Sequence, residues 1–350
     1  MKNEFTMTTY KFRIKDSSHK HHLNAMANSV NHVWNFCNAT SIESARRNKL
    51  WIGEFDLNRL LCGVSKDLGL NSKSIYETSR YFVKARSKAR RPKLQWRSYK
   101  RSLGWIPFKE NGVQLTEDGF KYLGREYKCW MSRPLEGKVK NGSINQDSKG
   151  HWYINLTCEI SVSQTDSKSS IGVDLGLKTL ATCSDGYTIE NPREFATLQN
   201  KLAIAQRAGH KRQTVNIHKK IANRRKDFLH KESTKLIKQH KNIYVGDVSS
   251  AKLKKTRMAK SVSDAGWSSF KLMLEYKAKK LGVNYRIVNE MYSTVTCSAC
   301  SLRTGPSGLS ALGIRHWECE CGASHDRDIN AAQNILKVGV GYDTPLGETA

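Results

Sequence analysis

The sequence predicts a multidomain protein, α+β in its first half and α/β in its second. Three observations carry that expectation. At 350 residues, the chain is long enough for two or three domains with a sizeable core. Residues 103–165 are rich in turns and aromatics, and HWYINLTCEI alternates apolar and polar positions, as the antiparallel strands of a small barrel do. After residue 170, apolar strand-like runs alternate with amphipathic helical stretches, the pattern of an α/β layer.

The elements run in order along the chain. TTYKFRIKD (8–16) alternates like a short strand. Leu23, Met26, Val30, Val33 and Trp34 are spaced for one helical face, and a further helix runs from Ser72 to about Lys88. Residues 84–101 read KARSKARRPKLQWRSYKR: nine of the 18 are Lys or Arg and none is acidic. Basic side chains interleaved with aromatics suit phosphate contact, so Lys84, Arg86, Lys88, Arg90, Arg91 and Arg97 are expected to bind nucleic acid. Trp96, Trp105 and Trp130 could stack on bases, although core packing is the commoner role of a Trp. SVSQTDSKSS (161–170) reads as a linker. Then come the strand IGVDLG, a hairpin strand and a second basic block over 195–241, expected as a helical insertion along nucleic acid through Lys211, Arg212, Lys219, Lys220, Arg224 and Arg225. NIYVGD is a buried strand, AGWSSFKLMLEYKAKKLG a helix stopped by Gly282, VNYRIVNE a strand, and RDINAAQNILKVG the last helix.

Charge narrows the function. Lys and Arg number 59 against 31 Asp and Glu, a net charge of +28 with a pI of about 9.8. So large an excess points to a polyanion partner. With 38% hydrophobic residues, a disordered basic tail is excluded. No apolar run approaches the roughly 20 residues of a membrane helix, so no membrane partner is expected. MKNEFTMTTYKFRIKD lacks a secretory apolar region. Nine cysteines, an odd number, suit free thiols in a reducing compartment such as a prokaryotic cytosol.

Without its insertions, the second half has the strand and helix order of an RNase H-like domain. Asp174 is an acid inside an apolar strand, where a lone carboxylate is costly without a cation or hydrogen bonds. Asp247 and Glu290 end the next two strands, and Asp326 and Asp328 open the last helix. Functional groups gather at the carboxyl ends of parallel strands. Adjacent strands lie about 4.8 Å apart, so such acids can share a pair of Mg²⁺ ions, as two-metal phosphodiester cleavage requires. One of Asp326 and Asp328 is expected to cap the helix; Asp328 is the choice for metal. Cys297 and Cys300 form a CxxC, and Cys319 and Cys321 a CxC one residue shorter than usual. The set points to structural Zn²⁺, with His316 or His325 as a replacement for one sulfur.

GVDLGLKTLAT, HKKIANRRKDFLHK, SDAGWSSFKLMLEYKA, the two cysteine pairs and HDRDINAAQNIL occur in that order. This resembles the TnpB (OrfB) proteins of insertion sequences, RNA-guided DNA endonucleases related to type V CRISPR effectors. The resemblance is specific over most of 170–340; in the first half it rests on KFRIKD, SVNHVWN and LGWIPFK. It implies a wedge-type β-barrel (1–16 and 93–165), a helical recognition lobe (17–92), a RuvC-like nuclease domain (166–291 and 324–340), a zinc segment (292–323) and a tail (341–350). It implies a guide RNA from the transposon end, a double-stranded DNA target beside a short protein-read motif, and cleavage by three acids, of which Asp174 matches the first and Asp328 the third. The second is expected as Glu290, at a relocated position known in some relatives, with Asp247 as the alternative. Two other readings stand beside cleavage: a guided DNA-binding repressor without nuclease activity, and a transposase catalysing strand transfer.

Overall fold

The computed structural model describes residues 5–15, 19–163, 167–248, 253, 255, 258–308 and 310–343. Residues 164–166 of the expected linker and 344–350 of the expected tail lie outside them. The chain divides into two compact units, 1–161 and 162–350, and the break falls at the start of SVSQTDSKSS.

The first unit joins four helices to an antiparallel sheet. β1 (Phe5–Ile14) pairs with β7 (Trp152–Ser161), which pairs on its far side with β6 (Lys138–Gln146). With β2 (Trp105–Lys109), β3 (Gln114–Thr116), β4 (Gly119–Tyr122) and β5 (Arg125–Trp130), the order is β2-β6-β7-β1-β5-β4-β3. The alternation in HWYINLTCEI is real: Trp152, Ile154, Leu156, Cys158 and Ile160 are buried while their neighbours are not. The expected barrel is instead a half-barrel, because the edge strands β2 and β3 are not hydrogen-bonded to each other.

Helix α1 (Lys20–Asn48) buries Leu23, Met26, Val30, Val33 and Cys37, one face at three- and four-residue spacing. Two short helices, α2 (Glu54–Leu60) and α3 (Ser65–Leu68), lead to α4 (Ser72–Ala89). Asn71 starts α4 by accepting the Lys73 N–H at 2.9 Å. Helices and sheet share one core, in which Ile75 and Phe82 of α4 meet Phe12, Phe108 and Ile154.

In the second unit, β8 (Ser170–Leu175), β9 (Thr179–Cys183) and β10 (Thr188–Glu190) are antiparallel, whereas β11 (Asn242–Gly246) and β12 (Asn284–Val288) run parallel to β8. The order is β10-β9-β8-β11-β12. The second basic block forms α5 (Glu194–Arg207) and α6 (Lys211–Gln239). It is not wholly an insertion. Leu229, Leu236 and Ile237 of α6 enter the core with Trp267, Phe270 and Leu274 of α8 (Trp267–Leu281), which follows α7 (Ala259–Ala265). Gly282 ends α8 at φ +58°, as the sequence implied. A two-stranded ribbon, β13 (His316–Glu318) and β14 (Ser324–Asp326), runs into α9 (Arg327–Asp343). Gly172 lets α9 lie directly on β8: a Cβ there would stand 2.1 Å from the Ala332 carbonyl oxygen.

Candidate metal centres

Asp174 is the penultimate residue of β8, Asp247 follows β11, and Glu290 stands two residues beyond β12. The three strands are parallel neighbours, so these acids emerge at one edge of the sheet. Gly246, at the end of β11, makes room for one of them. A Cβ there would lie 2.3 Å from Oε2 of Glu290. The missing side chain lets the Glu290 carboxylate lie over β11, between its own strand and β8. Oε2 is buried and has no hydrogen-bond partner. Burial, with Asp247 nearby, raises the Glu290 carboxyl above its ordinary range. Burial pushes Asp174 up to about 7, and the charges of Glu290 and Asp328 add to the effect. Asp174 thus lies in the field of both Glu290 and Asp328 across the strand ends. Exposed Asp247 has another place: its Oδ1 accepts the Glu290 N–H at 3.3 Å.

Asp326 and Asp328 divide the work at the start of α9. Asp326 Oδ1 accepts the backbone N–H groups of Asp328 and Ile329 at 2.9 and 3.0 Å, which is a helix cap. Asp328 is free of that role, and both its oxygens accept from Nη1 of Arg315 at 2.9 Å. Sequence reasoning missed two cations here. Arg315 stands in a turn-rich stretch 13 residues from its acid, and Lys271 of α8 lies in the field of Glu290 and Asp247. For Lys271 the one signal was its place in a helix ahead of an acid-bearing strand.

The cysteines close more tightly. Sγ of Cys297 is 3.7 Å from that of Cys321, and Cys300 is 3.6 Å from Cys319. A tetrahedral ion with Zn–S bonds of about 2.3 Å needs sulfurs about 3.8 Å apart. Among the described residues, these four are the one group of three or more His, Cys, Asp or Glu whose ligand atoms all lie within 4.8 Å of one another. The acids are less tightly drawn. The short CxC pair reaches because Gly322 turns back at φ +85°, its N–H bonded to the Cys319 carbonyl. His325 stands beside the sulfurs rather than replacing one, with Nε2 3.0 Å from Cys297 Sγ, and His316 is exposed. The N–H of Cys321 and the Thr304 hydroxyl lower the Cys319 thiol to about 6, so it deprotonates readily for a metal.

The basic stretches sort by exposure. Lys84, Lys88, Arg90 and Arg91 are exposed, as are Lys211, Arg212, Lys220 and Arg224, with Lys219 half-buried. Arg86 and Arg97 are a correction to the expected phosphate contacts. Arg86 is 3% exposed and donates to Ser41 Oγ and the Ile52 carbonyl. Arg97 lies against the rings of Trp34 and Trp105 and donates to Asn31. Arg225 is half-buried and bound to Ser263 and Asp264. Trp96 and Trp130 are exposed, whereas Trp105 packs against Trp34 and Tyr81.

Residues 267–335 match the family described as "Cas12f1-like, TNB domain", and residues 153–257 match the one described as "Probable transposase" (OrfB of IS605). A Streptomyces pristinaespiralis protein named "Putative RNA-guided DNA endonuclease" is 34% identical over 226 residues, 60% of this chain and 56% of its own. The Escherichia coli K12 protein named "Putative RNA-guided DNA endonuclease InsQ" is 32% identical over 60% of each chain. A mimivirus "TnpB-like protein L770" is 27% identical over 67% of this chain and 51% of its own. The matched region thus spans little more than half the length of these relatives. The chain in "Cryo-EM structure of the Cas12f1-sgRNA-target DNA complex" superposes with a TM-score of 0.62, covering 95% of this chain and 99% of that one; at 12% identity, what the two share is the fold. A mixed α/β fold with a curled half-barrel sheet and a four-cysteine segment defines the class. Within it, the chain is similar to the TnpB (OrfB) proteins, through the two family matches over 153–257 and 267–335 and the curated relatives.

Proposed function

We propose that this chain is an RNA-guided, Mg²⁺-dependent DNA endonuclease encoded by an insertion sequence. A guide RNA from the transposon end would select double-stranded DNA, and the protein would read a short motif beside the target. The reading places it in the prokaryotic cytosol, at the nucleoid. The wedge and recognition functions are assigned to residues 5–161 and the RuvC-like function to the five-stranded sheet, whose antiparallel and parallel pairing supports that assignment.

One observation carries the proposal: Oε2 of Glu290, buried without a hydrogen-bond partner over Gly246, in a carboxylate that acts on Asp174. Such oxygens need a cation, and hard carboxylate donors suit Mg²⁺. Asp174, Glu290 and Asp328 would hold two ions, which when bound activate the attacking water and stabilise the leaving oxygen. The rest belongs to the chain. Asp247 fixes the backbone of Glu290, Asp326 caps the helix that presents Asp328, and Arg315 balances Asp328. The four cysteines would hold structural Zn²⁺ and keep the Arg315 segment folded. The exposed cations of α4 and α6 supply backbone contacts to RNA and heteroduplex.

The test is co-expression with the transposon flank, then cleavage of a guide-matched target beside a randomised motif, with Mg²⁺ or EDTA. Cutting that needs Mg²⁺, is lost in Asp174→Ala and Glu290→Ala, and is largely kept in Asp247→Ala is expected. Tight guided binding without cutting by the wild type would replace this reading with a repressor, and strand-joined transposon ends with a transposase.

A further inference from the structure

Two residues beyond Glu290, Tyr292 adopts φ +63°. A bulky residue in the left-handed region is an outlier, strained where Gly or Asn would be relaxed. Core packing does not account for it, because Tyr292 is 47% exposed. One face of its ring carries the Arg303 guanidinium, 3.9 Å from the centroid, and the ring keeps the rest of its exposure to solvent.

The turn that presents this ring is heavily braced. The Tyr292 carbonyl accepts from the N–H groups of Val295 and Thr296 at 3.1 and 3.0 Å. Buried Asn330 and, one turn on, Asn334 both donate to the carbonyls of Ser293 and Thr296, at 2.7 to 3.2 Å. Both belong to α9, the helix whose first turn carries Asp328. Glu290 precedes the turn, Asp328 heads the helix beneath it, and the ring is thereby held at a fixed offset from both acids. A strained, exposed aromatic on a rigid mount, backed by a cation, has the form of a stacking platform, and nucleobases stack on such rings in single-strand sites.

We propose that Tyr292, backed by Arg303, stacks on one unpaired nucleobase of the DNA strand whose phosphate enters the Asp174–Glu290–Asp328 cluster. The platform would hold the strand single and set the register of the cut. This rests on the nuclease reading above.

The test uses the full chain with its guide RNA and targets carrying 2-aminopurine at successive positions around the cut. Fluorescence is read without added Mg²⁺ and without chelator, and cleavage in Mg²⁺. Tyr292→Gly suits φ +63° and is expected to melt at or above the wild-type temperature, so a loss would not be one of folding. It should abolish quenching at one position and raise KM about 5- to 100-fold, in line with the loss of one stacked base. Tyr292→Phe and Tyr292→Trp should restore both. Wild-type quenching and KM in Tyr292→Gly overturn the platform while leaving the nuclease intact. A wild-type complex that binds no guided target in either buffer overturns the nuclease reading and the platform with it.

Discussion

At the scale of single residues, the centre turns on the exchange of space between Gly246 and Glu290. The position on β11 whose side chain would point at the acids is Gly246, and the Glu290 carboxylate fills that space from the next strand. Gly246→Ala is therefore expected to displace Glu290 and to lower cleavage about as much as Glu290→Gln, by at least roughly 10³-fold for a lost metal ligand. Gly246→Glu combined with Glu290→Ala should recover part of the rate; no recovery in cleavage assays would sink the idea of shared space. Asp247→Ala, which removes one exposed positioning hydrogen bond, should cost only about 2- to 5-fold. The raised Asp174 sets a pH signature. Its folded pKa of about 7 lies above the ordinary carboxyl value, so its contribution to stability is complete below about pH 4 and is lost as pH rises through 7. Metal-free wild type should lose more melting temperature between pH 5 and 8 than Asp174→Asn does. In the proposed centre, Arg315 would compete with metal for Asp328. As a half-exposed ion pair it contributes about 1 kcal/mol, so Arg315→Ala should tighten Mn²⁺ binding by the free protein about fivefold, read by titration.

At the scale of elements, the four-cysteine segment and α9 are mechanically one. A two-stranded ribbon is marginal on its own, so β13 and β14 depend on the four sulfurs, and β14 ends at the capping Asp326. Chelation of zinc should raise amide exchange through 295–328 and leave β1 and β7 unchanged. This hinge was legible in the sequence because both cysteine pairs and HDRDIN lie close together in the chain. So were the strands that end near Asp174, Asp247 and Glu290, whose apolar runs announce themselves, and the cap formed by Asp326 follows from helix-end chemistry. What was not legible depends on contacts between distant residues. Nothing local reveals that the backbone of 90–104 lies along α1, where Asn38 bonds both the N–H and the carbonyl of Leu94. That docking turned part of an apparent phosphate-binding run inward. Arg86 alone left a trace: it falls on the same helical face as Ile75 and Phe82. Asn38→Ala would strand a buried N–H and carbonyl, costing about 1–3 kcal/mol by thermal melting.

At the scale of the whole molecule, the charge of +28 sets behaviour that no single contact reveals. The exposed Lys84, Lys88, Arg90 and Arg91 lie in the stretch that has no acid of its own, and residues 211–226 at the start of α6 likewise contain none. Like charges held on a folded surface repel, which weakens the compact state in the absence of a polyanion. RNA binding to the native chain should relieve that repulsion and stabilise it by mass action, by about 2.7 kcal/mol at a hundredfold excess over Kd. The melting temperature should therefore rise with guide RNA and fall back as salt screens the contacts, because each phosphate neutralised steepens the dependence of log Kd on log salt by about 0.7 to 0.9. Replacing Lys211, Arg212 and Lys220 with Gln should flatten that slope by about two to three without lowering the melting temperature of the RNA-free protein, since these side chains are exposed. A melting curve indifferent to the co-purified RNA would show that the surface charge serves something other than the guide.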